Sequence, residues 1–175
     1  VKDVSYFDGG TLAFDLGKSC TGWALMNHSR LIAHGRMSFV GRDEVEMFHG
    51  LASLVDGLYV KAVSEFGLRP KVIAVEAAEH QRGEAREAYC ALYISLRVKA
   101  RAHLAGVAKV YSATIKKVVT GSGRASKADV VASVNQVYQT GLSSQEKSAD
   151  HNVADAIGAG LAAWTLDQMG ELTFV

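Results

Sequence analysis

The chain has 175 residues, 49% of them apolar and 21% charged, which fits one globular domain able to bury its own core. A net charge of +1 argues against a generic nucleic-acid-binding tail, and the two cysteines, Cys20 and Cys90, form no Cys-x-x-Cys pair and no disulfide framework. No run reaches the ~18 consecutive apolar residues of a membrane span and no secretory signal is expected, so a cytoplasmic, reducing setting fits best.

Residues 1–10 read as an N-terminal extension and 11–175 as a single domain. Thr11 to Leu16 is an apolar run interrupted by Asp15 and followed by Gly17. Thr21 to Met26 and Leu31 to Phe39 read as two more strands, separated by the polar turn Asn27-His28-Ser29-Arg30, so an antiparallel three-stranded meander is expected. From Asp43 the period becomes helical, with Val45, Phe48, Leu51, Val55, Leu58, Ala62 and Phe66 on one stripe and Gly67 as the stop. Val72 to Val75 is a buried strand that ends at Glu76. A helix is expected over Glu84 to Ala105, a short strand over Val107 to Tyr111, and a glycine-punctuated loop over Thr120 to Arg124. The next helix carries Val130, Val131, Val134 and Val137, and a last one spans His151 to Asp167. Helical crossovers force parallel pairing after the meander, giving an α/β domain with a mixed five-stranded sheet flanked by helices.

Charge is segregated along this chain. The forty-one residues between Glu87 and Asp129 contain no acid but hold Arg97, Lys99, Arg101, Lys109, Lys116, Lys117, Arg124 and Lys127. The rest of the chain is therefore net acidic, an arrangement suited to one face that meets polyphosphate. Three acids break apolar surroundings: Asp15 inside Leu12-Ala13-Phe14-Asp15-Leu16, Glu76 at the end of Val72-Ile73-Ala74-Val75, and Asp155 inside Val153-Ala154-Asp155-Ala156-Ile157. A carboxylate in such a setting costs several kcal/mol unless paired or metal-bound. Acids from three distant elements fit a shared divalent-ion site, and oxygen ligands with retained water suit Mg²⁺ and phosphodiester hydrolysis.

Four segments in order resemble the RuvC-type Holliday junction resolvases. Phe14-Asp15-Leu16-Gly17-Lys18-Ser19-Cys20-Thr21-Gly22-Trp23-Ala24 resembles their first-strand signature Asp-x-Gly-x-x-x-Thr-Gly, and Val75-Glu76 their second acidic strand. Val118 to Lys127 resembles the family's Gly-rich loop ending in lysine, and Ala154-Asp155-Ala156-Ile157 its terminal Ala-Asp-Ala-Leu motif. The resemblance implies an RNase H-like fold, a homodimer, and nicking of branched DNA (four-way junctions, with forks and flaps as further substrates) using two Mg²⁺ ions, with Mn²⁺ as substitute. It implies Asp15, Glu76 and Asp155 as catalytic metal ligands and Lys127 near the scissile phosphate. DNA contacts are expected from Lys116, Lys117, Arg124, Lys127, His80 and Arg82.

Two departures leave alternatives open. The family places Asp or His three residues before the terminal Asp, where this chain has Asn152. Asn152 and His151 share a helical face with Asp155, while Asp150 reads as an N-cap. Asn152 or Asp150 is expected to complete the metal site, with His151 as a third candidate. Past Glu76 the segment Ala77-Ala78-Glu79-His80-Gln81-Arg82-Gly83 lacks the aromatic wedge of bacterial members. Two other functions compete with a nuclease: a catalytically inactive junction-binding domain, and an ATP-handling domain of the actin and sugar-kinase type, for which 175 residues leave no room for the duplicated half. Tyr89 and Tyr93 read as core or dimer contacts, and both cysteines as small buried hydrophobes.

Overall fold

The computed structural model describes residues 6–78, 82–145 and 148–175. A single 3-10 turn at Tyr6–Gly9 leads into β1 (Thr11–Asp15), β2 (Cys20–Asn27) and β3 (Arg30–Ser38), followed by α1 (Glu44–Phe66), β4 (Val72–Glu76), α2 (Glu84–Ala102) and β5 (Gly106–Val110). Three helices complete the chain: α3 (Ser112–Thr120), α4 (Lys127–Tyr138) and α5 (Asp150–Gln168). The sheet order is β3-β2-β1-β4-β5, antiparallel across β1, β2 and β3 and parallel across β1, β4 and β5. The expected meander and mixed five-stranded sheet are both present.

Strand alternation sorts the side chains into two layers. Leu25, Leu12, Ile73 and Val107 lie in register across four strands and face α1 and α2. The neighbouring row, Ala24, Ala13, Ala74 and Ala108, faces α3, α4 and α5. Period-two alternation then puts Asp15 and Glu76, each two residues past an alanine of that row, on the α5 side. Phe7 is fully buried in the α5-side core, and Gly10 just ahead of β1 is buried as well.

Several local expectations need correction. Asp43 caps α1 through a capping box with Glu46, but the buried stripe is Met47, Leu51, Val55, Leu58, Tyr59 and Ala62. Val45 and Phe66 are exposed, because Met47 and Tyr59 supply the apolar surface that faces the sheet. Helix α2 stops at Ala102, with Leu104 in the left-handed region at φ 57° and the Ala105 N–H returning to the Ala100 carbonyl. Gly106 serves the next strand: a Cβ there would lie 2.6 Å from the Phe174 ring. Helix α3 was not expected at all. Val137 is exposed on α4, and Cys90 is exposed while Cys20 is half-buried. Helix α5 begins at Asp150, so Asp150 is its first residue; Ala149 is the cap and provides no side-chain hydrogen bond.

Candidate active site

The parallel strands β1 and β4 end side by side, and the N-terminal half of α5 crosses them on the alanine-lined layer. Three carboxylate oxygens, one each from Asp15, Glu76 and Asp155, lie within 4.8 Å of one another. They line a cavity of about 230 Å³ together with Gly17, Tyr89, Ser112, Lys116, Lys127 and Asn152. Glycine is what lets α5 come this close. A Cβ on Gly22, paired with Asp15, would sit 2.1 Å from the Asn152 carbonyl oxygen, and one on Gly17 would sit 3.1 Å from Asn152 Nδ2. The Asp-x-Gly-x-x-x-Thr-Gly pattern is therefore the packing requirement for Asn152 as well as the source of Asp15.

Burial and crowding dominate the electrostatics. Asp15 is held well above the usual carboxylate range by burial and then by the charges of Glu76 and Asp155; Lys127 and a hydrogen bond from Asn152 oppose this. Glu76 is pushed up to about 7, first by burial and then by Asp155, against the Ser112 hydroxyl, Lys127 and Lys116. Burial also raises Asp155, with Lys127, His151 and Lys116 countering it. Three desolvated acids, with Asp15 opposed by the charges of both others and Glu76 by that of Asp155, are a donor set that a hard divalent cation would stabilise, so the residues fit such an ion.

The other expected site residues divide. Lys116 and Lys127 line the acidic cavity. Lys117 and Arg82 are exposed outside it, and Arg124 lines a separate depression between α3 and α4. His80 lies outside the described residues. Asn152 donates to the Cys20 carbonyl at 3.0 Å, which fixes its amide beside Asp15. Asp150 points elsewhere: its carboxylate takes Arg36 Nη1 at 2.7 Å and the Ser143 N–H at 2.9 Å, tying α5 to β3 and to the preceding loop. His151 is buried with Nε2 2.9 Å from the Gln145 carbonyl oxygen. Sequence reasoning missed Ser112; Tyr89, expected as a core or dimer contact, is buried in the core facing α1 and α2, and its hydroxyl also donates to the Glu76 carbonyl at 3.3 Å from the cavity wall.

No family model matches the sequence, and no curated protein matches it. Solved structures do. The Thermus thermophilus RuvC structure superposes with a TM-score of 0.74 at 18% identity, covering 95% of this chain and 99% of RuvC. The chain has the RuvC-like resolvase fold. RuvC from T. thermophilus in complex with a Holliday junction substrate matches with the same TM-score, identity and coverage. The yeast mitochondrial Holliday junction resolvase matches with a TM-score of 0.58 at 13% identity, over 91% of this chain and 80% of that one. The expected RNase H-like architecture is thus the observed one, and among the described residues no helix is long and apolar enough to cross a membrane.

Proposed function

We propose that this domain is a metal-dependent, structure-selective endodeoxyribonuclease that nicks branched DNA and resolves four-way junctions. The observation that carries this reading is the convergence of Asp15, Glu76 and Asp155 from β1, β4 and α5, in a RuvC-like fold, in a cavity that also receives Lys116 and Lys127. Asp15, Glu76 and Asp155 would hold the Mg²⁺ ions, which when bound supply an activated water nucleophile and neutralise charge at the leaving oxygen. Asn152, fixed by the Cys20 carbonyl, orients the Asp15 carboxylate. Ser112 fixes the Glu76 carboxylate through its hydroxyl. Lys127 and Lys116 place positive charge against the acid cluster, where a phosphodiester would gain negative charge on the way to product.

Val45, Phe48, Ala91 and Ile94 form an apolar depression between α1 and α2, with Val45 65% and Ile94 56% exposed. We assign this face to a homodimer contact, which would set two cavities about a two-fold axis for paired nicks. Ile94→Glu is expected to convert a dimer to a monomer in sedimentation velocity.

Cleavage of end-labelled four-way junction, Y-fork and linear duplex DNA with Mg²⁺, Mn²⁺ or EDTA tests the activity. Metal-dependent paired nicks at the junction are expected. Tight junction binding without cleavage in any metal would overturn the nuclease reading in favour of an inactive binding domain.

A further inference from the structure

The acid-free segment supplies more cations than the cavity uses. Lys116 and Lys127 face the acids, but Arg97, Arg101 and Lys109 lie on the other side of Glu76, along the seam between α2 and β5. Lys109 pairs in register with Val75, one residue before Glu76, and alternation turns it toward α2. There its Nζ sits 4.3 Å from the centre of the Tyr93 ring, with the Arg97 guanidinium 5.9 Å from the same ring. Tyr93 in turn stacks on Tyr89 at 5.8 Å with 7° between the planes, and Tyr89 forms the cavity wall. A continuous ladder thus leads from the acidic cavity to a pair of cations fixed by an aromatic ring. Arg101, one turn beyond Arg97, lines with it a groove that Val98 and Phe174 also line.

Among the described residues these cations have no carboxylate partner within ion-pair distance. The ion pairs among those residues engage Lys18, Arg36, Lys61 and Lys99, but none of Arg97, Arg101 or Lys109. Lys99, on the same helix, shows the alternative: it is tied to Asp56 at 2.5 Å. Lysine on an edge strand often serves to block strand addition. Lys109 is instead drawn over the sheet face onto Tyr93, which spends an exposed side chain's freedom on holding the charge in one place. Three exposed cations without an ion pair among the described residues, two of them held on a ring that stacks against the cavity-lining Tyr89, are suited to contact nucleic-acid phosphates.

We propose that Lys109, Arg97 and Arg101 form a phosphate-contact track along the α2–β5 seam that holds one arm of the branched DNA beyond the cavity, with Tyr93 positioning the two cations nearest it. This rests on the nuclease reading above and names where its substrate lies.

The test is the salt dependence of binding to a four-way junction by the full chain in EDTA, with sedimentation run on every variant to confirm an unchanged oligomeric state. Each lost phosphate contact lowers the slope of log Kobs against log salt by about 0.9, so the triple variant Arg97→Ala, Arg101→Ala, Lys109→Ala should lose about 2–3 units of slope and at least roughly 10-fold in affinity at 0.1 M salt. Tyr93→Leu should weaken binding less, and Tyr93→Phe, which keeps the ring, should restore it. Lys61→Ala, on the remote face of α1, should leave the slope as in wild type. Junctions whose arms are cut to a few base pairs should bind wild type and triple variant alike. A wild-type protein that cleaves junctions, paired with a triple variant of unchanged slope, overturns this inference alone. A wild-type protein that binds no DNA overturns it together with the nuclease reading.

Discussion

The two faces of the sheet are packed with side chains of different size, and the acid cluster lies on the face lined by the smaller ones. Toward α1 and α2 the strands present Leu25, Leu12, Ile73 and Val107, met by Leu51, Val55, Leu92 and Leu96. Toward α5 they present four alanines in a row, met by Ala154, Ala159, Ala162 and Ala163 and by glycines whose missing Cβ atoms are filled by neighbours. A Cβ on Gly160 would meet Met26 Sδ at 2.6 Å and the Ala13 Cβ at 3.1 Å, while on the flank of the helix one on Gly158 would meet Ile115 of α3 at 2.6 Å. A layer of long hydrocarbon side chains holds helices at side-chain distance, where local repacking absorbs small errors. The layer of small ones brings α5 nearly onto the strands, and this is what lets Asp155 reach Asp15 and Glu76 from a different element.

The comparison is broken most severely at the acids. Asp15→Asn removes one buried charge that its neighbours oppose. Cleavage of junction DNA in Mg²⁺ should fall by about 10³-fold or more, while the thermal midpoint of the metal-free protein should stay level or rise. A drop in both would mean that Asp15 serves the fold through its charge.

Gly22→Ala comes next. Its Cβ would lie 2.1 Å from the Asn152 carbonyl oxygen, a backbone atom that can yield only by moving α5. Overpacking of this kind costs about 1–3 kcal/mol, and displacement of a catalytic group by an ångström can cost about 10²-fold in rate. Both losses should show, as a lower midpoint and as slower single-turnover cleavage by protein still folded at the assay temperature.

A pH series sharpens the contrast further. Glu76 is pushed up to about 7 and Asp15 and Asp155 are also raised, chiefly by burial. Between the ordinary carboxylate range and the raised values the folded protein holds more protons than the unfolded chain, so stability of the metal-free protein falls as pH rises across that window. The thermal midpoint should drop from pH 5 to pH 8 without metal, and Mg²⁺ should recover it at the upper end only. Cleavage should rise through pH 7 as the acids lose their protons to solvent and become free to bind the ions. Asp15→Asn should flatten the stability profile, and a profile flat in wild type would count against the crowded acid cluster.

The alanine-lined face was largely legible in the sequence because charge stands out against small apolar neighbours. Asp15, Glu76 and Asp155 each ended or interrupted a run of Ala, Val, Leu or Ile, and strand period two assigned the first two to one face. Helix α3 was illegible for the opposite reason. It has nine residues and no side-chain cap, and its apolar stripe, Ile115, Val118 and Val119, covers little more than one turn, too short to be told from a loop or strand fragment. Its stability comes from docking beside α5, a tertiary fact. Asp150 misled in the same way: an acid ahead of an apolar helix reads as a cap, but its partner Arg36 lies 114 residues away in β3. The stripe on α1 was displaced because Val45 and Phe48 are as apolar as Met47, and nothing in a single helix says which face meets the sheet and which stays exposed.

The smallest effect on chemistry should come from the face packed by the larger side chains. Leu51→Ala removes a fully buried side chain from the layer between α1 and the sheet. Such truncations cost about 2–5 kcal/mol, and at about 2–4 °C per kcal/mol for a domain of this size the midpoint should fall by roughly 5–15 °C. Cleavage by the folded fraction should nonetheless match wild type, because Leu51 lies on the far side of the sheet from α5 and its cavity can relax without moving the alanine row. Single-turnover rates measured well below the midpoint check this. A rate loss as large as that of Gly22→Ala would show that the two layers are mechanically coupled, and the division between a yielding scaffold face and an unyielding catalytic face would have to be abandoned.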